Sequence, residues 1–176
     1  MISIHERPPE VEDRTVSGHW EGDQIMGAGK RTALGTSVER TSRYLLLVRL
    51  KGHDAESVRE AFAGVMKQLP EHLRLTVTYD QGKEMALHRL FTAETKVQVY
   101  FADPHSPWQR GTNENTNGLV RQFFPKGTDF SEITDGQIRW VQYAMNTRPR
   151  KTLDDQSPAE VFAKFYHENE QQRAPQ

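Results

Sequence analysis

Three acidic residues sit in settings that suit chemistry on phosphate. Asp23 ends the run His19-Trp20-Glu21-Gly22-Asp23, and Asp80 follows the apolar stretch Leu75-Thr76-Val77-Thr78-Tyr79. Glu114 lies in Pro107-Trp108-Gln109-Arg110-Gly111-Thr112-Asn113-Glu114-Asn115. Two aspartates at strand ends and a glutamate opening a helix match the needs of two-metal phosphoryl transfer. Mg²⁺ takes hard oxygen ligands, binds through one or two carboxylates and keeps several waters. A metal pair about 3.5–4 Å apart holds the attacking and leaving oxygens of an in-line displacement.

Each acid also has a plainer explanation. Asp23 fits a polar strand end, and Asp80, followed by Gln81-Gly82, fits a turn aspartate. Glu114 fits the first turn of a helix, where the dipole favours an anion. The neighbourhood of Glu114 argues for more. Trp108 offers a stacking surface, and Arg110, Asn113, Asn117 and Arg121 supply donors, with Lys126 further along. On a helix, Asn117 and Gly118 lie one turn beyond Glu114 and Arg121 lies two turns beyond. His19 and Glu21 share the strand face of Asp23. Other patterns are weaker. Glu84 and His88 have helical spacing but fit a surface pair, and Gly27-Ala28-Gly29-Lys30 lacks the spacing of a phosphate loop and fits a turn. The histidines show no paired metal-ligand spacing, and no serine has a nucleophile-elbow context.

At 176 residues the chain suits one domain with a core. It contains no cysteine, which excludes disulfides, zinc thiolates and thiol catalysis. No apolar run has the length of a membrane span, and no signal-peptide core opens the chain, so a cytoplasmic protein is expected. The net charge of −1 does not announce a polyanion binder, but its distribution is uneven. From Gly136 to Lys151 there are Arg139, Arg148, Arg150 and Lys151 and no acid, whereas acids gather near the C-terminus. A basic region beside an acidic triad suits a polyanionic substrate.

Periodicity places the acids on elements. Residues 1–17 read as a polar, extended lead-in containing Pro8-Pro9, and 18–166 as the core. His19–Met26 and Ala33–Glu39 read as a hairpin, and the nearly continuous apolar run 44–50 as a central strand buried on both faces. Val58, Phe62, Val65, Met66 and Leu69 recur at helical spacing up to Pro70. Then follow a strand over 75–79, a short helix over 85–91, a strand over 97–101 and a loop over 104–111. Helices are expected over 113–124, around 138–145, and from Ser157-Pro158 to Tyr166, before a polar tail over 167–176. This is an α/β order, a meander followed by crossover units.

The three acid-bearing segments closely resemble the catalytic core of insertion-sequence-thirty family transposases. The matching runs are His19–Asp23, Tyr79-Asp80-Gln81-Gly82-Lys83-Glu84 and Ser106–Gly118, followed by Asn146–Leu153 and Ser157–Phe162. The likeness spans roughly residues 7–166, and the 33 residues between Asp80 and Glu114 agree with the family's acidic signature. It implies a ribonuclease-H-like, retroviral-integrase-like fold with a mixed five-stranded sheet flanked by helices. It implies Asp23, Asp80 and Glu114 as catalytic ligands of two Mg²⁺ or Mn²⁺ ions. The implied reaction nicks DNA at an element's ends and transfers the freed 3′-hydroxyl into target DNA, in a bacterial, nucleoid-associated homo-oligomer. Trp108, Arg110, Asn113, Asn117, Arg121 and Lys126 are expected to meet the DNA. Family members carry a helix-turn-helix region that would precede Met1, so the chain is expected to be a truncated frame, an excised domain or half of a split protein. A nuclease of the same fold, or a remnant that binds DNA or a full-length transposase, are the other readings.

Overall fold

A computed structural model describes residues 1–80 and 88–173. Glu84 and the start of the expected 85–91 helix lie outside the described residues. The sheet is built from β1 (His19–Met26), β2 (Ala33–Glu39), β3 (Leu45–Leu50), β4 (Thr76–Tyr79) and β5 (Gln98–Phe101). Its order is β3-β2-β1-β4-β5. β1 to β3 pair antiparallel, and β4 and β5 join β1 in parallel. The first three strands need only tight turns, with Gly29 at φ +59° between β1 and β2. The parallel strands need helical crossovers.

Helices cover both faces, which are α1 (Pro9–Asp13), α2 (Ala55–Met66), α3 (His88–Thr95), α4 (Gly111–Val120), α5 (Asp135–Thr147) and α6 (Pro158–Arg173). Asp54 caps α2 through the Ser57 N–H, and Thr134 and Gln137 form a capping box on α5. Alternation along each strand sorts the core into two layers. Trp20, Val77, Tyr79, Val99 and Phe101 pack with Val58, Phe62 and Met66 of α2 and Phe91 of α3. On the opposite face, Ile25, Leu34, Leu45 and Leu47 pack with Val120 of α4 and with Ile138, Val141 and Met145 of α5.

Four expectations change. β3 is an edge strand, and its run is apolar because helices cover both of its faces. Residues 1–17 are not an extended lead-in. Ile4–Glu6 forms a 3₁₀ turn, and Pro9 starts α1 from its first position, where a missing N–H costs nothing. Ile4 and Val11 are buried, and the Ile2 carbonyl accepts the Phe101 N–H at 2.8 Å, fastening this segment to β5. The last helix continues past Tyr166 to Arg173, and the loop before α4 contains a 3₁₀ turn, Pro107–Arg110.

Gly22 sits directly before Asp23 with the Tyr79 ring against it. A Cβ there would lie 2.7 Å from Tyr79 Cδ2, and Tyr79 is itself packed edge-on against Phe62. Gly22→Ala is expected to destabilise the chain by about 1–3 kcal/mol, the usual cost of overpacking. Urea unfolding checks this, and an unchanged midpoint would contradict the packing.

Candidate active site

Asp23 and Asp80 meet because β1 and β4 are parallel. The ladder pairs His19 with Thr76 and Glu21 with Thr78, and the same offset sets Asp23 level with Asp80 just beyond it. Residues level on parallel strands point to the same face, here the one that carries α4. Arg110, which is 7% exposed, reaches between the two acids. Its Nη1 lies 3.4 Å from Asp23 Oδ2 and its Nη2 lies 3.8 Å from Asp80 Oδ2. Asp23 Oδ1 accepts the Gln24 N–H at 2.8 Å, and Oδ2 accepts from Asn117 Nδ2 at 3.0 Å. Burial pushes the Asp23 carboxyl above its ordinary range, the Arg110 guanidinium and the Gln24 N–H pull it back, and Asp80 pushes it further up.

The start of α4 is fixed by Glu21, which is 0% exposed. Glu21 Oε1 accepts from Arg40 Nη1 at 2.6 Å, and Oε2 accepts the Asn113 N–H at 2.8 Å. Asn113 Nδ2 donates to the Glu21 carbonyl at 3.1 Å. A β1 carboxylate therefore caps α4, satisfying one of the donors that a helix start leaves unpaired. One turn on, Asn117 is held between Asp23 and Thr36, whose Oγ1 donates to Asn117 Oδ1 at 3.0 Å. Burial raises the Glu21 carboxyl, while Arg40 and the Asn113 N–H oppose it.

The expected site residues divide. Asp23 and Asp80 come together. Glu114 stands exposed in the first turn of α4, one helical turn from Asn117. Among the described residues, no three His, Asp or Glu side chains gather closely enough to hold a metal ion. The donor set nevertheless fits a hard cation, since the Asp23 and Asp80 oxygens already share one positive charge, the Arg110 guanidinium. Trp108 is 72% exposed and Lys126 is exposed, as DNA contacts require. Arg110 and Asn113 are corrections. Both are buried, and their donors are turned inward to Asp23, Asp80, Gly22 and Glu21, so direct DNA contact does not suit them. Asn117 is half-buried and engaged with Asp23. Arg121 is half-buried and donates through Nη2 to the Met26 carbonyl at 2.9 Å, tying the end of α4 to β1. Glu21 has no definite role by sequence, although strand alternation puts it on the Asp23 face. Arg40 carries no local signal, because its partners are 19 and 29 residues away.

The integrase core domain family matches residues 13–107, more than half of the chain. The chain belongs to the integrase core domain family. The matched part holds Asp23 and Asp80 and stops before Glu114. This integrase-core chain is 55% identical, over 163 residues, to the transposase for insertion sequence element IS1086 of Cupriavidus metallidurans, a match covering 93% of this chain and 48% of that protein. It is 48% identical, over 159 residues, to transposase InsI for insertion sequence element IS30A of Escherichia coli, covering 90% of this chain and 41% of that protein. The chain thus spans about half the length of these relatives, or somewhat less. The catalytic core domain of BIV integrase superposes with a TM-score of 0.65 at 16% identity, covering 87% of this chain and 98% of that one. That likeness is one of fold, and the mixed five-stranded sheet with flanking helices is the expected ribonuclease-H-like arrangement. Among the described residues no helix is long and apolar enough to cross a membrane.

The raised Asp23 carboxyl has a stability consequence. A carboxyl whose folded-state pKa exceeds its unfolded value favours the fold when protonated, and that contribution is lost as pH rises through the folded value. In metal-free buffer, Asp23→Asn is therefore expected to melt above wild type at neutral pH. The gap should close below about pH 4, where aspartate is protonated in both states. A variant that melts lower than wild type at neutral pH would contradict the assignment.

Proposed function

We propose that this chain is the catalytic core of a DNA transposase, joining 3′-hydroxyl ends of DNA to a target strand. The observation that carries the reading is the level placement of Asp23 and Asp80 on adjacent parallel strands, beside a helix that brings Glu114 in its first turn. The relatives' names, transposases and an integrase, support the same class of reaction.

Asp23, Asp80 and Glu114 are the proposed ligands for two Mg²⁺ or Mn²⁺ ions. Bound there, the ions would neutralise charge on the attacking and leaving oxygens of an in-line displacement. The protein's own part is positional. Asn117 and the Gln24 N–H hold the Asp23 carboxylate in one orientation. Glu21 fixes the helix from which Glu114 projects. Arg110 keeps the two aspartates from repelling each other until cations take up their charge. In the first step a water oxygen bonds to phosphorus and the 3′-oxygen leaves as a hydroxyl. In the second step that hydroxyl bonds to a target phosphorus, and a target 3′-oxygen leaves. Trp108 and Lys126 are proposed DNA contacts, and Arg121 and Asn117 act as positioning residues. Self-association is part of the proposal, because the two element ends must be joined in concert.

The test uses a labelled duplex bearing a free 3′-hydroxyl, a supercoiled plasmid, and Mg²⁺ or Mn²⁺. Wild type should give joined products, with Asp80→Asn and Glu114→Gln each reduced by about 10²–10³-fold, the scale of removing a charge-stabilising group. Metal-dependent cleavage without joining would replace the proposal with a nuclease of the same fold. Undiminished joining in both variants would remove the triad.

A further inference from the structure

A cavity of about 510 Å³ opens between the N-terminal segment and the start of α4, on the far side of the Pro107–Arg110 turn from the aspartate pair. Arg7, Arg14 and Arg40 line it, with Glu12, His5 and Trp108 toward its mouth. Its charge is unbalanced. Arg7 pairs with Glu12, and Arg40 pairs with the buried Glu21. Arg14 has no carboxylate partner among the described residues. Its Nη1 donates instead to the Arg40 carbonyl at 3.0 Å and to Thr112 Oγ1 at 2.6 Å. Arg43 donates to the same Thr112 oxygen at 2.5 Å, so two guanidiniums crowd one hydroxyl. Burial, and then the charges of Arg40 and Arg43, push Arg14 down to about 10, and it stays charged at neutral pH.

Two further observations suit an anionic partner. The Arg7 side chain is 2% exposed, and its Nε has no hydrogen-bond partner among the described residues. At the rim, Trp108 leaves 72% of its surface in water, although an indole of that size normally packs. The turn that carries Trp108 also sends Arg110 to Asp23 and Asp80, so one short element separates the cavity from the carboxylates. A flexible chain of anions passing the aspartates would cross this rim.

We propose that the cavity anchors a backbone phosphate of the DNA strand, held by Arg14 with Arg7 and Arg40, while Trp108 stacks on a base or sugar beside it. The proposal rests on the reading of the chain as a DNA strand-transfer core and names a subsite of it. The phosphate takes up the charge of Arg14 that no carboxylate pairs, relieves the repulsion among the arginines, and fixes the strand a short distance from the reacting bond. Arg14 is the natural contributor, because its charge is not already cancelled by a carboxylate.

The experiment measures binding of fluorescent single-stranded and duplex DNA to the full chain in EDTA, across about 50–200 mM salt. Removing one cation that meets a phosphate should reduce the slope of log K against log salt by about one. Arg14→Gln is expected to lower that slope by about one and weaken binding several-fold. Lys164→Gln, which removes one exposed charge on α6, should do neither. Trp108→Ala should weaken single-strand binding several-fold with the slope intact, because stacking releases no counterions. An Arg14→Gln slope equal to wild type overturns the anchor, as does an equal fall in Lys164→Gln. If Arg14→Gln does not fold, Trp108→Ala decides alone, since its ring lies largely outside the core, and unchanged affinity overturns the proposal. Failure of the parent reading looks different, because wild type would then give no joined products in the plasmid assay, whatever the salt slopes of its DNA binding. Using EDTA keeps every binding outcome independent of cleavage.

Discussion

The arrangement depends on one buried carboxylate. Glu21 lies mid-way along the central strand with no access to water, and a lone anion there would be prohibitive. Arg40 supplies the counter-charge and the Asn113 N–H supplies a further bond. Arg40 in turn bonds the Val11 carbonyl, and Arg14 bonds the Arg40 carbonyl. One ion pair therefore ties β1, the turn after β2, α1 and the first turn of α4. Removing one partner of such a pair typically costs about 3–5 kcal/mol, because the other is left charged and buried. A salt bridge of this kind adds little net stability, but it specifies geometry. Here the specified geometry is that of the helix start from which Glu114 projects.

The same region concentrates the least comfortable groups in the molecule. Burial raises the carboxyls of Glu21, Asp23 and Glu39 and lowers Arg14 and Arg43. Glu39 is rescued locally by Ser17, Gly18, Thr41 and Ser42. Asp23 is rescued only in part, and it borrows Arg110 for the purpose. The opposite layer of the sheet, built on Trp20, Phe62 and Tyr79, is apolar and well packed. Both faces of the sheet thus carry an apolar layer, and the face of α4 adds to it the buried charges of Glu21 and Asp23.

Much of this is legible in the sequence. β1, β2 and the turn between them follow from alternation and glycine chemistry, and α5 and α6 follow from their caps and 3.6-residue period. Asp80 is visible because it follows the last residue of β4, whereas Asp23 lies within β1 rather than at the strand end expected for it. The rest is hidden by distance or brevity. α1 is five residues long, below what periodicity can detect, and its role is set by contacts to residues far along the chain. A run such as Leu45–Leu50 reports that both faces are covered, but not whether the strand is central or at an edge. Arg110 and Asn113 look like surface donors because their residue types usually are. Only the pairing of Asp23 with Asp80, and the inward turn of Glu21, brings those donors inside. Where the Glu114 side chain ends is set by its rotamer, which spacing does not encode.

The central proposal is that Asp23, Asp80 and Glu114 together hold the two cations once Arg110 yields its place. Anomalous diffraction from crystals of the chain grown with Mn²⁺ tests it most directly. The account predicts anomalous density between the Asp23 and Asp80 carboxylates, with Glu114 turned in as a ligand and Arg110 withdrawn from both aspartates. Manganese bound elsewhere, or Arg110 still bridging the pair at saturating Mn²⁺ with Glu114 in solvent, would contradict it.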